Sequence, residues 1–510
     1  MSENTTASES SAHGRGLLAT PGLVNCHHHL YQWATRGLAQ QENLFGWLTE
    51  LYPVWAGIDE DVVHASAAAA LGWLARTGCT TTTDHHYLFP RDGGDVLSAS
   101  VEAAREIGLR FHPARGSMDL GQSRGGLPPD DVVEELDAAL DATAAAIDRH
   151  HDPSPGSMLR VAVAPCSPFS VTAELMREAA VLARDRGVRL HTHLAETVEE
   201  EAFCRQLFGC SPAEHVEDLG WLGDDVWLAH CVHLDDKTVT RFAETGTGVA
   251  HCPTSNGRLG AGIAPVAALL EAGVPVGLGV DGTASNEEGS MAAELHAAVM
   301  VARLRGGPSA LTARQALAAG TIGGARCLGR ADEIGSLAPG KLADIALWRV
   351  DGLAHAGIDD PVAALVLGSR PPLRLLMVDG RAVVKDDVLL TADEATLAEK
   401  TGVASPGTAR DVRRRHHPRP DGREQHAGAE HQRGGHQPAV VRLAARGHAP
   451  PAARRGVPLS GAAAPQRQRG DPRPQPDLRR AHLGQCADRA PARQDRADPH
   501  VPRRGDGRGG

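Results

Sequence analysis

The chain is poor in aromatic side chains, which make up 3% of its 510 residues, with only 3 tyrosines. It has no uninterrupted apolar stretch long enough to span a bilayer, which excludes a transmembrane helix and argues against a membrane as partner. Residues Met1 to Thr20 are mostly polar and hold no signal-peptide core. The 9 cysteines, Cys26, Cys79, Cys166, Cys204, Cys210, Cys231, Cys252, Cys327 and Cys486, are scattered, and none forms a Cys-x-x-Cys pair. That pattern argues against a disulfide framework and for reduced thiols, so a cytoplasmic location is expected. Basic charge is scarce ahead of residue 405. The net charge is −11, yet from Ser405 onward 22 arginines face 10 acidic residues, so that stretch carries about +12 and the remainder about −23. An acidic body argues against nucleic acid as a partner. Apolar residues, at 42%, still suffice for a core, and the length allows a large catalytic domain with a smaller one beside it.

Residues 405–510 are built from Arg, Pro, Gly, Ala, His and Gln, with no Ile, Lys, Asn, Phe, Trp, Tyr or Met. Such a segment buries too little apolar surface to offset its ordering entropy, so disorder is expected. Out-of-frame translation of a GC-rich gene is favoured over a basic, nucleic-acid-binding tail. Resequencing the gene across codon 405 distinguishes the two.

Between Pro21 and about Arg330, short apolar or β-branched runs alternate with alanine-rich helical stretches. The runs are Leu23-Val24, Thr80 to Thr83, Leu109 to Phe111, Leu159 to Val163, Val188 to Leu190, Val226 to Leu228, Gly248 to Ala250 and Val274 to Leu278. Helical patterns include Asp130 to His150 and Thr172 to Arg186. Eight strands alternating with helices predict an α/β fold, a (β/α)8 barrel of the TIM type.

Ligand-type residues collect at the strand ends. His27 and His29 follow the first run, and their spacing points both side chains the same way on extended chain while His28 points elsewhere. His191, His193 and Glu196 follow the fifth, His230 the sixth and Asp281 the eighth. Barrel active sites lie at this end of the strands. A catalytic zinc takes three or four nitrogen or oxygen ligands and keeps a position for water. His27, His29, His193 and Asp281 are the expected ligands of one Zn2+ per subunit, with Fe2+ or Mn2+ left open by the donor set. His191 is the rival to His193. Such a metal lowers the pKa of water towards ~7. Asp281 is placed to accept the water proton, Glu196 to carry a proton to a ring nitrogen, and His230 to hydrogen-bond the attacking water or the developing tetrahedral centre. His85, His86, His233 and His251 read as structural or supporting, and Cys231 and Cys252 as non-ligands, since thiolate-rich zinc sites are usually structural.

Pro21-Gly22-Leu23-Val24-Asn25-x-His27-x-His29, His193-Leu194-Ala195-Glu196, His230 and Val280-Asp281-Gly282 together resemble the amidohydrolase superfamily, in its nucleobase and triazine deaminase branch. The likeness covers about Gly14 to Ala398. It implies a barrel capped by a small β-sandwich made from both chain ends. Gly335 to Ile345 and the turn at Val378-Asp379-Gly380-Arg381 mark its C-terminal part. The expected division is a disordered 1–14, a barrel over 15–332, part of the sandwich over 333–400 and the tail over 405–510. Only twenty residues precede the Pro-Gly motif, where members of the superfamily carry fifty or more. An incomplete sandwich, with lowered stability or aggregation and the metal site intact, is therefore expected.

Several stretches are similar to 8-oxoguanine deaminases: His28 to Gln32, Asp84 to Pro90, Arg115 to Met118 and Gly125 to Asp130. The resemblance implies a small heterocyclic substrate held by Gln32 and Arg115, and 8-oxoguanine converted to urate and ammonia. Cys166-Ser167 replaces an Arg-Phe pair of guanine deaminases, which argues against plain guanine. Hydroxylated triazines, isoxanthopterin and guanine are the alternative substrates. A non-catalytic scaffold paralogue is disfavoured because no ligand is missing. A homo-oligomer is expected.

Overall fold

Each of the eight runs becomes a parallel strand of one closed barrel. The computed structural model describes residues 16–403. The expectations for 1–14 and for the tail from 405 lie outside the described residues. A first strand, β1 (Leu17–Pro21), precedes the barrel. The barrel strands are β2 (Leu23–Asn25), β3 (Cys79–His86), β4 (Arg110–Ser117), β5 (Ala162–Pro165), β6 (Arg189–Leu194), β7 (Val226–His230), β8 (Gly248–His251) and β9 (Val276–Leu278). They pair in chain order, and Asn25 opposite Leu278 closes the ring. The strands are buried on both faces, as a helix-covered parallel sheet requires, so their sequences show no apolar–polar alternation.

Several of the helices between strands begin at side-chain caps. Asp59 accepts from the Val62 amide ahead of the helix Glu60–Arg76, and Thr172 from the Leu175 amide ahead of Ala173–Asp185. Each such cap is worth about 1 kcal/mol. The expected helix from Asp130 is shorter than its sequence pattern: Asp130–Val132 is a single 3-10 turn, Val133 is extended, and the helix proper is Leu136–His150. Two adjacent β-branched residues account for the break.

After the barrel come β10 (Ile345–Arg349), β11 (Leu373–Val378), β12 (Arg381–Lys385) and β13 (Val388–Leu389). They form an antiparallel sheet in the order β1-β10-β11-β12-β13. Among the described residues this second element is one sheet, not two stacked layers. β1 lies within the span that the sequence pattern assigns to the barrel, yet it pairs with β10, Leu17 opposite Arg349 and Pro21 opposite Ile345. The Pro21-Gly22 step separates the strand that serves the sheet from the strand that serves the barrel. Trp348 of β10 is fully buried; its indole N–H donates within the sheet to Thr20 Oγ1 at 2.9 Å, and its ring packs on the barrel side where a β-carbon on Gly78 would stand, 2.2 Å away. Among the described residues no helix is long and apolar enough to cross a membrane.

Candidate metal centre and active site

The strand ends bring His27, His29, His193, Glu196, His230 and Asp281 to one buried cluster at the barrel mouth. Four residues there have positive φ: Ala195 at 50°, His230 at 70°, Cys231 at 50° and Asp281 at 60°. A non-glycine residue in that region costs on the order of 1–3 kcal/mol and persists where surrounding structure enforces it. The departure at His230 comes at the last residue of β7, and that at Asp281 three residues past β9, in the loop that carries its side chain.

Three imidazoles present the same nitrogen to the centre. His29 Nδ1 lies 2.6 Å from the His85 carbonyl and His193 Nδ1 lies 2.6 Å from the Cys166 carbonyl. A carbonyl only accepts, so both Nδ1 atoms carry hydrogen and both Nε2 atoms hold lone pairs. Those two Nε2 atoms face each other at 3.1 Å. His27 Nδ1 is held by His191 Nε2 at 2.8 Å, and His27 Nε2, fully buried, has no hydrogen-bond partner. Asp281 Oδ1 stands 3.3 Å from His27 Nε2 and 3.2 Å from His29 Nε2. Donors sharing one zinc tetrahedrally at about 2.0–2.1 Å are themselves roughly 3.3 Å apart. Converging lone pairs at that spacing, with an orphaned nitrogen among them, fit a divalent cation. Two overlapping groups meet the spacing of a metal site, His27, His29, His85 and His193 in one, and His27, His193, His230 and Asp281 in the other. His85 and His230 thus join the four residues expected from sequence. His191 belongs to neither group.

The electrostatics separate the two carboxylates. Burial drives the Glu196 carboxyl well above its ordinary range, and the nearby Asp281 charge adds to the effect. Burial also pushes Asp281 upward, but the adjoining His27 and His29 side chains outweigh it and hold the carboxyl well below its ordinary range. Burial lowers His27 and His193 well below the usual imidazole range. Two buried carboxyls with opposite shifts are matched to one acid and one base at neutral pH. Glu196 Oε2 is 3.6 Å from His230 Nε2, and His230 Nδ1 is 2.9 Å from Asn256 Oδ1.

A cavity with about 30 Å³ of free space lies over the cluster, lined by Gln32, Leu44, Trp47, Leu48, Tyr52, Tyr87, Cys166, Ser167, Phe169 and Leu259 besides His29, His193, Glu196, His230 and Asp281. Larger grooves, about 530 and 540 Å³, run elsewhere along the contact of sheet and barrel and hold none of these residues. Gln32 is fully buried, and neither its amide oxygen nor its amide nitrogen has a partner. Arg115 does not reach the cavity. Its guanidinium bonds to Glu134 Oε1 at 2.6 Å and to the Gly116 and Ala139 carbonyls, and lies 4.0 Å over the Phe89 ring. Alternation along β4 sends it outward, so the expectation that it holds the substrate is corrected. His233 bonds the Ala261 carbonyl at 2.9 Å.

Several contributors carry no sequence signal. Ser255 Oγ donates to Asp281 Oδ2 at 2.5 Å and Ser285 Oγ at 3.2 Å. Glu200 receives the backbone amides of Ala195 and Glu196 at 2.9 and 2.8 Å and so braces the turn that carries Glu196. Only nearness to a strand end marks these residues in the sequence.

The chain matches the amidohydrolase family over residues 18–383. It is 45% identical over 387 residues to the 8-oxoguanine deaminase of Pseudomonas aeruginosa, covering 76% of this chain and 86% of that one. It is 37% identical to the hydroxydechloroatrazine ethylaminohydrolase of Pseudomonas sp. strain ADP, over 75% of this chain and 81% of that one. Among solved structures it resembles an atrazine chlorohydrolase from Arthrobacter aurescens TC1 complexed with zinc, with a TM-score of 0.74 and 36% identity over 77% of this chain and 89% of that one.

Proposed function

The chain belongs to the amidohydrolase family and is a hydrolase of the deaminase type, and from that premise we propose that it deaminates 8-oxoguanine to urate and ammonia. The observation that carries this reading is Gln32, a buried amide with both polar atoms unpaired in the wall of the cavity over the metal cluster. An unpaired buried amide costs on the order of 1–3 kcal/mol, which a flat heterocycle bearing adjacent donor and acceptor atoms repays by pairing with both. The 45% identity to a relative of that activity supports the same substrate.

His27, His29, His193 and Asp281 would hold the metal, with zinc favoured because the similar atrazine chlorohydrolase was solved with it. A bound divalent metal supplies Lewis acidity and brings the pKa of water towards ~7. Asp281, kept ionised, takes one proton from the attacking water as the new C–O bond forms. Glu196, kept protonated, gives its proton to the ring nitrogen beside that carbon. His230 steadies the tetrahedral oxygen by hydrogen bonding, with Asn256 setting its ring orientation. Asp281 passes its proton to the exocyclic amine, the C–N bond breaks, and ammonia leaves. The remaining hydroxyl proton returns to Glu196 as the carbonyl forms, so one water is consumed and both carboxyls are restored.

Free space of about 30 Å³ holds a water or two, so the cavity must widen to admit a bicyclic ring. We place the enzyme in the cytoplasm, a reading supported by eight free cysteines among the described residues. Homo-oligomerisation belongs to the same proposal and is measured by light scattering.

The second reading is a hydroxytriazine aminohydrolase, favoured by the 37% identity to such an enzyme. Ammonia or amine release from 8-oxoguanine, guanine, isoxanthopterin and hydroxyatrazine decides. Turnover of hydroxyatrazine without 8-oxoguanine overturns the first reading.

A further inference from the structure

His191 is two residues from His193 on β6, yet the structure gives it a different task. It lies behind His27, away from the converging Nε2 atoms. Its Nδ1 is 2.8 Å from the Trp227 carbonyl, and its ring stacks on the Trp227 indole, with centroids 4.4 Å apart and planes at 16°. The indole N–H in turn donates at 3.0 Å to the carbonyl of Cys26, the residue before His27. All four residues are buried. Hydrogen bonds therefore run from Cys26 through Trp227 and His191 back to His27.

The Trp227 carbonyl only accepts, so His191 Nδ1 carries hydrogen, and a neutral His191 offers a lone pair at Nε2. A cation held at His27 Nε2 requires the lone pair there and therefore a hydrogen on His27 Nδ1. Among the described residues the one partner of that nitrogen is His191 Nε2, at 2.8 Å. His29 and His193 have backbone carbonyls in the corresponding place. Of the three expected imidazole ligands, His27, His29 and His193, His27 is thus the one whose acceptor is a side chain.

We propose that His191, clamped by Trp227, is a positioning residue that fixes the ring orientation and tautomer of His27 for metal binding. The inference rests on the proposed metal site. Partners of this kind typically govern about 10- to 100-fold in metal affinity.

Two variants separate positioning from packing. His191→Phe keeps a flat ring on the indole and loses the acceptor. His191→Gln loses the ring and keeps both an acceptor oxygen and an N–H donor. Zinc affinity is measured by chelator competition, with the visible spectrum of the Co(II)-loaded protein reporting ligand geometry and the melting curve of metal-free protein reporting packing. Positioning predicts that His191→Phe binds zinc about 10- to 100-fold more weakly with an altered cobalt spectrum, and that His191→Gln stays within about threefold of wild type. Zinc affinity of His191→Phe within threefold of wild type overturns the proposal, as does a His191→Gln affinity as weak as that of His191→Phe. Should His191→Phe fail to fold, nitrogen-15 NMR of wild-type, zinc-loaded protein carries the test. His27 protonated at Nδ1 is the expected result, and protonation at Nε2 overturns the proposal. A wild-type protein that takes up no metal removes the premise, and this inference with it.

Discussion

Gln32 and Gly282 are packed so closely that a β-carbon on Gly282 would stand 1.8 Å from Gln32 Oε1. The residue after the expected metal ligand Asp281 is therefore glycine for a steric reason, and the beneficiary is the proposed substrate-binding amide. Gly282→Ala is expected to displace Gln32 and raise KM by about tenfold or more, with zinc content unchanged. Gln32→Ala is expected to do the same. Steady-state kinetics with metal analysis checks both, and unchanged KM in each removes Gln32 from substrate binding.

Glu196→Gln keeps the shape of the proposed acid and removes its proton. We expect kcat to fall by about 10²–10⁴-fold, the usual contribution of a positioned acid or base, while zinc remains bound. Retained turnover excludes Glu196 from proton transfer.

Metal removal has a stability consequence. A ligand that binds only the folded chain stabilises it by RT ln(1 + [L]/Kd), about 2.7 kcal/mol at a hundredfold excess over Kd. Chelator-treated protein is expected to lose activity and melt at lower temperature, and added zinc to restore both. Equal melting curves with and without zinc count against the site.

Buried acids set a pH dependence away from the metal. Burial raises Glu294 to about 8, against hydrogen bonds from the Thr254 amide and Asn286 Nδ2. Burial likewise raises Glu200 to about 7. A carboxyl whose folded pKa exceeds its unfolded value contributes stability below the unfolded pKa, and that contribution is lost as pH rises through the folded pKa. Histidines with lowered pKa act in the opposite direction, but only below their unfolded value near 6.5. Between about pH 6.5 and 8 the acids dominate, each contributing at most roughly 1.4 kcal/mol per pH unit. Urea midpoints are expected to fall with rising pH in that window, and less steeply in Glu294→Gln. Parallel curves for wild type and variant refute the assignment.

Arg110 of β4 and Asp344, just ahead of β10, form a fully buried pair, with Nε to Oδ2 at 3.1 Å and Nη2 to Oδ1 at 3.2 Å. Asp344 Oδ1 also accepts the Asp379 amide at 2.8 Å, so one carboxylate joins barrel and sheet. Arg110→Ala leaves that carboxylate unpaired and is expected to cost about 3–5 kcal/mol. Arg105→Ala, at an exposed pair with Glu102, is expected to cost little. Urea unfolding compares them, and similar losses contradict the bridging role.

Much of the architecture is legible in the order of residues. Every one of the eight apolar runs contains or abuts a barrel strand, because β-branched and small residues suit a doubly covered parallel sheet. Strand ends then locate the cluster, since a barrel places them on one rim whatever the helices do. His27, His29, His193, Glu196, His230, Asp281 and Gln32 meet there. Arg115 points away from the cavity, because residues on one strand alternate in and out, and the parity of β4 is invisible until its neighbours fix the register.

The order of residues was enough to predict the barrel and a donor set at its rim, and short motifs carried the resemblance to a deaminase branch, because each rests on local chain geometry or on short runs of residues. Depth was beyond it. His191 and His193 share a face of β6 but differ by about 6.6 Å along it, enough to put one among the converging nitrogens and the other beneath His27. Which imidazole faces a metal and which supports it, which of two carboxyls keeps its proton, and which sheet β1 joins all depend on contacts between residues far apart in the chain. Only the closed ring brings those contacts together.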